Sequence, residues 1–205
     1  MAGYGTHGDL GAHLIDIARF LIGEIDEVCC VQKTFTKMRP KAVFEDGLFA
    51  KAGDEMGEVD VDDASQMLAT FNGQDIMAYF ECTRNGTGHK NQNRIEVAGS
   101  KGAIIWDEEK LNELEYYNDD DPAHLKGFRR IQVGEGVHPY MSNWWPVGHI
   151  IGYGDTFVNE FYDFFMAIKE GKQVTPNFRD GLMCQKVLDA AEQSAMERKW
   201  KKVEY

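Results

Sequence analysis

The chain has 205 residues, of which 43% are hydrophobic and 27% charged, values typical of a globular protein with a substantial core. A formal net charge of -12 gives an acidic surface that repels phosphate, which disfavours a nucleic acid as a partner. No apolar run approaches the roughly 20 residues that cross a bilayer, so we expect no membrane association and a cytoplasmic location.

Cysteine spacing gives no sign of a zinc cluster or a disulfide framework. Cys29 and Cys30 are adjacent, Cys82 and Cys184 stand alone, and no C-x-x-C pair occurs. Neighbouring residues of a strand point to opposite faces, so the adjacent pair would not act together. We therefore expect buried free thiols.

The first predicted element is an amphipathic helix from Asp9 to Leu21. Apolar residues recur there at helical spacing, and Gly23 stands where such a helix would end. The next stretch, EVCCVQKTFTKMRP, is rich in Val, Thr and Phe and predicts one strand closed by Pro40. The residues from Lys41 to Asp60 have no periodicity, which predicts a loop.

Six further segments predict antiparallel strands joined by short connections: ASQMLATF, DIMAYFECTR, RIEVAG, GAIIWDEE, NELEYYND and FRRIQVGE. Asn72, Gly73 and Gln74 separate the first two, and Ser100 and Lys101 separate the next two, both typical of hairpins. No β-α-β alternation occurs, so we expect no nucleotide-binding half in this chain.

Two helices complete the pattern. The first ends at Gly171 and carries an apolar stripe at positions i, i+4, i+7, i+8 and i+11, namely Phe157, Phe161, Phe164, Phe165 and Ile168. The second runs from about Asp180, a candidate N-cap, to Lys199. This order predicts a single α+β domain over residues 1–205, with helices packed on one face of a predominantly antiparallel, open β-sheet.

The first helix carries the strongest candidate for chemistry. Asp9, His13 and Asp16 lie at i, i+4 and i+7, within about 40° of one another on one helix face. A carboxylate near an imidazole raises the imidazole pKa and fixes its tautomer. Such a pair suits general acid/base work on a hydroxyl or carbonyl.

Other interpretations of these residues stay open at this point. Asp9 could be a first-turn charge that favours the helix dipole, and Asp16 could pair with Arg19 or Arg39. A metal site with His7, Asp9 and His13 as ligands is a further alternative. No matched fourth ligand follows by spacing, so we predict no metal site.

Two separated motifs resemble one family. GDLGAHLIDIARFLIGEIDEV, with its D-x-x-x-H pair followed by x-x-D, is similar to the signature that opens the substrate domain of the Gfo/Idh/MocA oxidoreductases. Near the end of the chain, a helix bearing D-F-x-x-A-I is followed by P-x-F-x-D-G and by a final helix with D-A-x-x-x-S, as at the end of that family. With the strands between them, the resemblance covers nearly the whole chain.

The resemblance implies roles for the first-helix residues. His13 would act as acid/base on the substrate hydroxyl, with Asp9 orienting it or contacting the sugar. Asp16 would bind the substrate, or support the site or the helix packing. The family's NAD or NADP lies in an N-terminal Rossmann domain, which also holds a lysine in an E-K-P motif, and no E-K-P occurs here. We therefore expect part of a longer two-domain enzyme, a chain that binds no cofactor alone, and an inactive isolated chain.

Four further residues are candidates for substrate binding. His149 resembles a Gly-His found before the penultimate helix in some branches of the family, and Trp145 and Tyr153 nearby would suit stacking on a sugar. His89, in GTGHKNQNR, could place a polar group at a strand end facing the site. The alternatives are packing of the aromatic residues onto the sheet and a solvated hairpin tip for His89.

These observations predict the substrate domain of an NAD(P)-dependent oxidoreductase that acts on a secondary hydroxyl of a sugar or polyol. A redox-assisted glycosidase is an alternative implied by one branch of the family. A non-catalytic binding or assembly domain is another, since the family commonly forms subunit interfaces through the open sheet face. For that reason we also expect a homo-oligomer, in which strands such as DIMAYFECT and GAIIWDEE supply the apolar contacts.

Overall fold

The computed structural model describes residues 5–43, 51–71, 73 and 75–205. They fall into two compact units, one formed by the residues up to Thr87 together with Pro176–Tyr205, the other by Gly88–Thr175. That residues 1–205 make a single functional domain stays a prediction.

The described residues contain three α-helices and ten strands. The helices are α1 (Thr6–Leu21), α2 (Tyr153–Glu170) and α3 (Phe178–Glu197). The strands are β1 (Ile25–Lys33), β2 (Met38–Val43), β3 (Lys51–Glu58), β4 (Ala64–Phe71), β5 (Met77–Thr83), β6 (Arg94–Gly99), β7 (Gly102–Asp107), β8 (Glu113–Asn118), β9 (Arg129–Gln132) and β10 (Lys201–Lys202). None of these helices combines the length and the apolarity that crossing a bilayer requires.

All strand pairs are antiparallel, which confirms the predicted α+β class. In the first unit the order is β10-β1-β4-β5, and β2 and β3 form a separate two-stranded ribbon. In the second unit β6, β7, β8 and β9 form a meander. Its first connection is the predicted turn, because Gly99 pairs with Gly102 across Ser100 and Lys101.

The core of the first unit lies between one face of its sheet and the helices α1 and α3. Strand β4 shows why, since its residues alternate between buried and exposed, as a strand covered on one face requires. Ile15 of α1, Val28 of β1 and Leu188 of α3 are fully buried there. Three of the four cysteines are buried and all four are free, which agrees with the expected thiols.

Helix α1 begins three residues earlier than predicted, because a distant aspartate caps it. The carboxylate of Asp62 accepts hydrogen bonds from the backbone N–H groups of Gly5, at 3.0 Å, and His7, at 2.9 Å. The N–H of Thr6 donates to the backbone oxygen of Asp62 at 3.1 Å. These bonds satisfy N–H groups that have no partner inside a helix.

Gly5 is needed for this contact. A Cβ at this position would lie 2.3 Å from the backbone oxygen of Asp62 and 2.7 Å from its backbone nitrogen. Both neighbours are backbone atoms, so a side chain could be accommodated only by moving the Asp62 segment away from the helix.

The single strand predicted in EVCCVQKTFTKMRP is wrong, since the stretch forms β1 and β2 with a break between them. The carboxylate of Asp63 causes the break, because it accepts hydrogen bonds from the N–H groups of Phe35, at 2.7 Å, and Thr36, at 2.8 Å. Pro40 accordingly lies inside β2 rather than at the end of a strand.

The loop predicted from Lys41 to Asp60 is also wrong in part, because β2 and β3 pair within it. Every residue of β2 is exposed and no residue of β3 is buried, so neither strand packs into the core, and β3 shows no regular apolar alternation. Residues 44–50 of that prediction, and Asn72 and Gln74 of the predicted turn, lie outside the described residues.

Helices α2 and α3 confirm the predicted elements but differ in detail. Helix α2 ends at Gly171, whose φ of 64° is left-handed, and its predicted apolar stripe is exposed throughout. The N-cap of α3 is Asn177, not Asp180. Asn177 accepts from the N–H of Arg179 at 2.8 Å, and the Asp180 carboxylate accepts from the N–H of Asn177 at 2.8 Å.

The Asp62 cap is testable by substitution. We expect Asp62→Ala to lower the free energy of unfolding by about 1–2 kcal/mol, because the N–H groups of Gly5 and His7 at the start of α1 lose their acceptor. Asp62→Asn keeps an acceptor oxygen and should lose less. Urea unfolding followed by circular dichroism measures the difference, with Asp60→Ala, an exposed carboxylate two residues earlier, as the control. Equal stabilities of the Asp60 and Asp62 variants would contradict the assigned cap.

Candidate functional site

The predicted acid/base residues project from the same helix. Asp9 lies in the first turn of α1, and both Asp9 and His13 are exposed, whereas Asp16 is half-buried. The helix holds them in place through its capped first turn and through its buried face on the sheet. The assignment of Asp9 and His13 to catalysis stays a prediction.

Arg84, which the sequence interpretation missed, contacts Asp9. Its guanidinium Nη2 forms an ion pair with the Oδ2 of Asp9, and the two side chains are 49% and 58% exposed. Arg84 directly follows β5, and its backbone N–H donates to the backbone oxygen of Asp63 at 3.1 Å. The two residues are 75 positions apart, so no local spacing could have paired them.

Asp16 lies at the packing between α1 and α3. Its Oδ1 accepts from the thiol of Cys184 at 3.6 Å, and burial raises the pKa of that thiol, which keeps it protonated. Arg19 donates to the same sulfur at 3.6 Å and forms an ion pair with Glu24 at 2.8 Å. This environment favours the supporting role of Asp16 over direct substrate contact.

The two arginines considered as partners of Asp16 bind other carboxylates. Arg19 donates to both oxygens of Glu24, and these hydrogen bonds hold the pKa of that carboxyl below its ordinary value. Arg39 pairs with Asp63. Arg19 and Arg39 therefore form ion pairs with Glu24 and Asp63 rather than with Asp16.

His7, on the same helix, is in a different environment from His13. It is 2% exposed, its Nδ1 lies 3.1 Å from the Oγ of Ser65, and that oxygen lies 3.3 Å from the Sγ of Cys30. Burial lowers the pKa of His7 below its ordinary value of 6.5, while the Asp62 charge acts in the opposite direction. His7 is thus turned into the core, away from the exposed pair, which argues against one metal ion bound by His7, Asp9 and His13.

The N-terminus of α1 does not fit a dinucleotide. Residues 3–8 read GYGTHG, which has the letter spacing of a G-x-G-x-x-G turn, although residues 3 and 4 lie outside the described residues. A dinucleotide turn binds pyrophosphate through the first N–H groups of its helix. Here Asp62 accepts from those of Gly5, Thr6 and His7, and its carboxylate would repel a phosphate.

The candidates of the second unit include one pair of rings in contact. Trp145 and His149 stack with centroids 6.2 Å apart, and the Nδ1 of His149 lies 2.7 Å from the backbone oxygen of Pro146. Tyr153 begins α2 and makes an edge-to-face contact with Phe157 at 5.4 Å. Trp145, His149 and Tyr153 are exposed.

His89 lies in a loop that a glutamate holds. The Oε1 of Glu109 accepts from the N–H groups of Lys90, at 2.6 Å, and Asn91, at 3.0 Å, and His89 lies 4.0 Å from the same carboxylate. Since His89, Trp145, His149 and Tyr153 belong to the second unit, their convergence with Asp9 and His13 stays a prediction.

Fold and site together define an antiparallel α+β chain that displays an exposed carboxylate and imidazole on a capped helix. The chain belongs to the Gfo/Idh/MocA family, since the family model of the GFO/IDH/MocA C-terminal domain matches residues 1–105. This match confirms the resemblance that the two motifs indicated.

Individual relatives are dehydrogenases. The chain is 38% identical to levoglucosan dehydrogenase of Pseudarthrobacter phenanthrenivorans over 98% of its length, and 29% identical to inositol 2-dehydrogenase of Rhizobium meliloti over 95%. These matches cover 52% and 48% of the two relatives, so the chain spans about half their length.

Solved structures agree with this assignment. An oxidoreductase domain protein from Kribbella flavida is 45% identical with a TM-score of 0.90, and the match covers 100% of this chain and 52% of that one. Levoglucosan dehydrogenase in complex with NADH and levoglucosan is 36% identical with a TM-score of 0.89, with the same coverage of both chains.

The buried His7 makes stability depend on pH. Folding lowers the pKa of His7, so as the pH falls the unfolded chain takes up a proton at this residue at a higher pH than the folded chain does. We therefore expect the contribution of neutral His7 to stability to be present above pH 6.5 and to be lost as the pH falls. Between pH 7 and pH 5, the free energy of unfolding of the His7→Gln variant should fall less steeply than that of the wild type. Urea unfolding at several pH values measures the slope.

His13→Gln is the matched control, because it removes an exposed imidazole from the same helix. We expect its slope to equal that of the wild type. A wild-type slope in the His7 variant would contradict the assignment of a neutral, buried His7.

Proposed function

We propose that this chain is the substrate domain of a NAD-dependent dehydrogenase that oxidises a secondary hydroxyl of a sugar or polyol. The observation that carries the proposal is that Asp9 and His13 are both exposed on α1, a helix capped at its N-terminus, in a chain of this family. Relatives named for levoglucosan and inositol support the substrate class, and the NADH complex of levoglucosan dehydrogenase favours NAD over NADP.

The proposal places residues 1–205 in a longer two-domain enzyme. Coverage of about half of each relative supports this arrangement, as does an α1 N-terminus that does not fit a dinucleotide. We therefore propose that a separate Rossmann domain binds NAD, and that the 205-residue chain alone binds no NAD and has no activity.

In the proposed mechanism His13 moves the proton. Its imidazole accepts the proton of the substrate hydroxyl as the carbon–oxygen bond becomes a carbonyl, and Asp9 orients the imidazole or the sugar. When bound, NAD would accept the hydride that leaves the same carbon. His149, Trp145, Tyr153 and His89 are the proposed contacts to the rest of the substrate, and Asp16 supports the helix.

Replacing His13 tests the proposal. In the enzyme that contains this chain, His13→Ala should lower kcat by about 100- to 10,000-fold, because the hydroxyl proton loses its acceptor. The affinity for NAD should stay nearly unchanged. NADH formation from levoglucosan and from inositol measures turnover, and calorimetry measures the binding of NAD.

His124→Ala is the control, since it removes an exposed imidazole from the second unit. Weakened NAD binding with intact turnover in the His13 variant would contradict its acid/base role. Binding of NAD by the isolated 205-residue chain would contradict the proposed division between two domains. Release of free sugar from a glycoside without net NADH formation would favour the glycosidase alternative.

The open face of the first sheet favours self-association. Self-association is expected both of the proposed dehydrogenase and of the alternative, a non-catalytic assembly domain. Leu68 of β4 is paired in register with Cys29 of β1 and with Tyr79 of β5, which forms a row of side chains on the outer face. Tyr79 is 79% exposed, and Met77 on the same strand is 84% exposed. An apolar face of this kind is typical of an interface, and we propose a second copy of the chain as its partner.

Charged substitutions on this face test the interface. Leu68→Lys combined with Tyr79→Lys should shift the sedimenting species to the monomer, because two ammonium groups would be buried against their own copies. Phe20→Lys, an exposed apolar residue of α1, is the control and should leave the assembly unchanged. A wild-type protein that stays monomeric at high concentration would contradict the interface.

A further inference from the structure

Arg84 contacts Asp9, one residue of the proposed catalytic pair, and has no role in the proposed mechanism. Its guanidinium reaches from the end of β5 to the first turn of α1, where it pairs with Asp9. Because both side chains are about half exposed, the ion pair contributes little to folding. Its contact with Asp9, one residue of the proposed catalytic pair, therefore calls for another explanation.

The backbone of Arg84 is fixed by a series of hydrogen bonds. Its N–H donates to the backbone oxygen of Asp63 at 3.1 Å. The carboxylate of Asp63 in turn accepts from the N–H groups of Phe35 and Thr36 and pairs with Arg39, and the hydrogen bonds from these N–H groups lower the pKa of Asp63. Asp63 is itself 2% exposed. The guanidinium therefore extends from an anchored strand end rather than from a free loop.

The other side of the ion pair is anchored through the neighbouring residue of the same segment. Asp62 caps α1 and so holds the backbone of the turn that carries Asp9. Both ends of the Arg84–Asp9 contact are thus fixed to residues 62 and 63. The exposed Asp9 carboxylate, which would otherwise sample several rotamers, is held in one orientation by a planar cation.

We propose that Arg84 is a positioning residue that orients Asp9 beside His13 for reaction with the substrate. This inference rests on the proposed function and adds a residue to it. A guanidinium carries five N–H donors in a planar fork, whereas a lysine offers a single ammonium, so the role depends on the geometry of arginine.

A double-mutant cycle in the enzyme that contains this chain tests the role. We expect Arg84→Met to lower kcat by about 10- to 100-fold, because a misoriented catalytic group is costly, with KM for levoglucosan changing much less. Arg84→Lys should recover only part of this loss. In an Asp9→Asn background, Arg84→Met should have little further effect, since the carboxylate that it orients is gone.

Arg94→Met is the matched control. Arg94 pairs with Glu96 at 2.9 Å in the second unit, with side chains 41% and 47% exposed. The substitution therefore removes an ion pair of similar exposure that does not include Asp9. We expect its kcat, and the unfolding midpoints of both arginine variants, to stay at wild-type values.

The outcomes separate this role from the proposed function. Full activity of Arg84→Met beside an inactive His13→Ala would overturn the role of Arg84 alone. An equal loss from Arg84→Met in the wild-type and Asp9→Asn backgrounds would also overturn it, because Arg84 would then act independently of Asp9. A wild-type enzyme that oxidises no sugar or polyol would overturn the proposed function and this role together.

Discussion

The capping of α1 by Asp62 is the interaction on which the arrangement of the proposed site depends. One carboxylate satisfies two N–H groups of the first turn, and the backbone oxygen beside it satisfies a third. That turn carries both the buried His7 and the exposed Asp9. The cap therefore determines at the same time how the helix enters the core and where its polar face begins.

The contrast between His7 and His13 shows how one helix can hold two imidazoles for different purposes. The two residues are six positions apart, which places them on different sides of a helix. His7 lies against Ser65 in a protein environment that penalises its charged form, and His13 is in contact with solvent. In the proposed mechanism only the imidazole at the surface can exchange a proton with a substrate, while the buried one fixes the helix that presents it.

What could be predicted from the sequence was local, and what could not was distant or unpatterned. Helix α1 and the strands β4 to β9 were predicted because apolar spacing and short turns mark them within a few residues. The contacts of Asp62 with Gly5 and of Arg84 with Asp9 span 57 and 75 positions, and no periodicity relates such partners. Strands β2 and β3 were missed because they pair with each other outside the core, and because β3 has glycines and charged residues in place of a regular apolar alternation.

Asp62 and Asp63 are adjacent but bind different parts of the fold, which restricts how the segment before β4 can vary in length. Asp62 binds the start of α1, whereas Asp63 binds the turn after β1 and supports Arg84. Inserting one residue between Asp63 and Ala64, the first residue of β4, would shift both carboxylates against their partners at once. Surface connections usually accept such changes, but here we expect relatives with this site to keep the spacing from residue 62 to the strand constant.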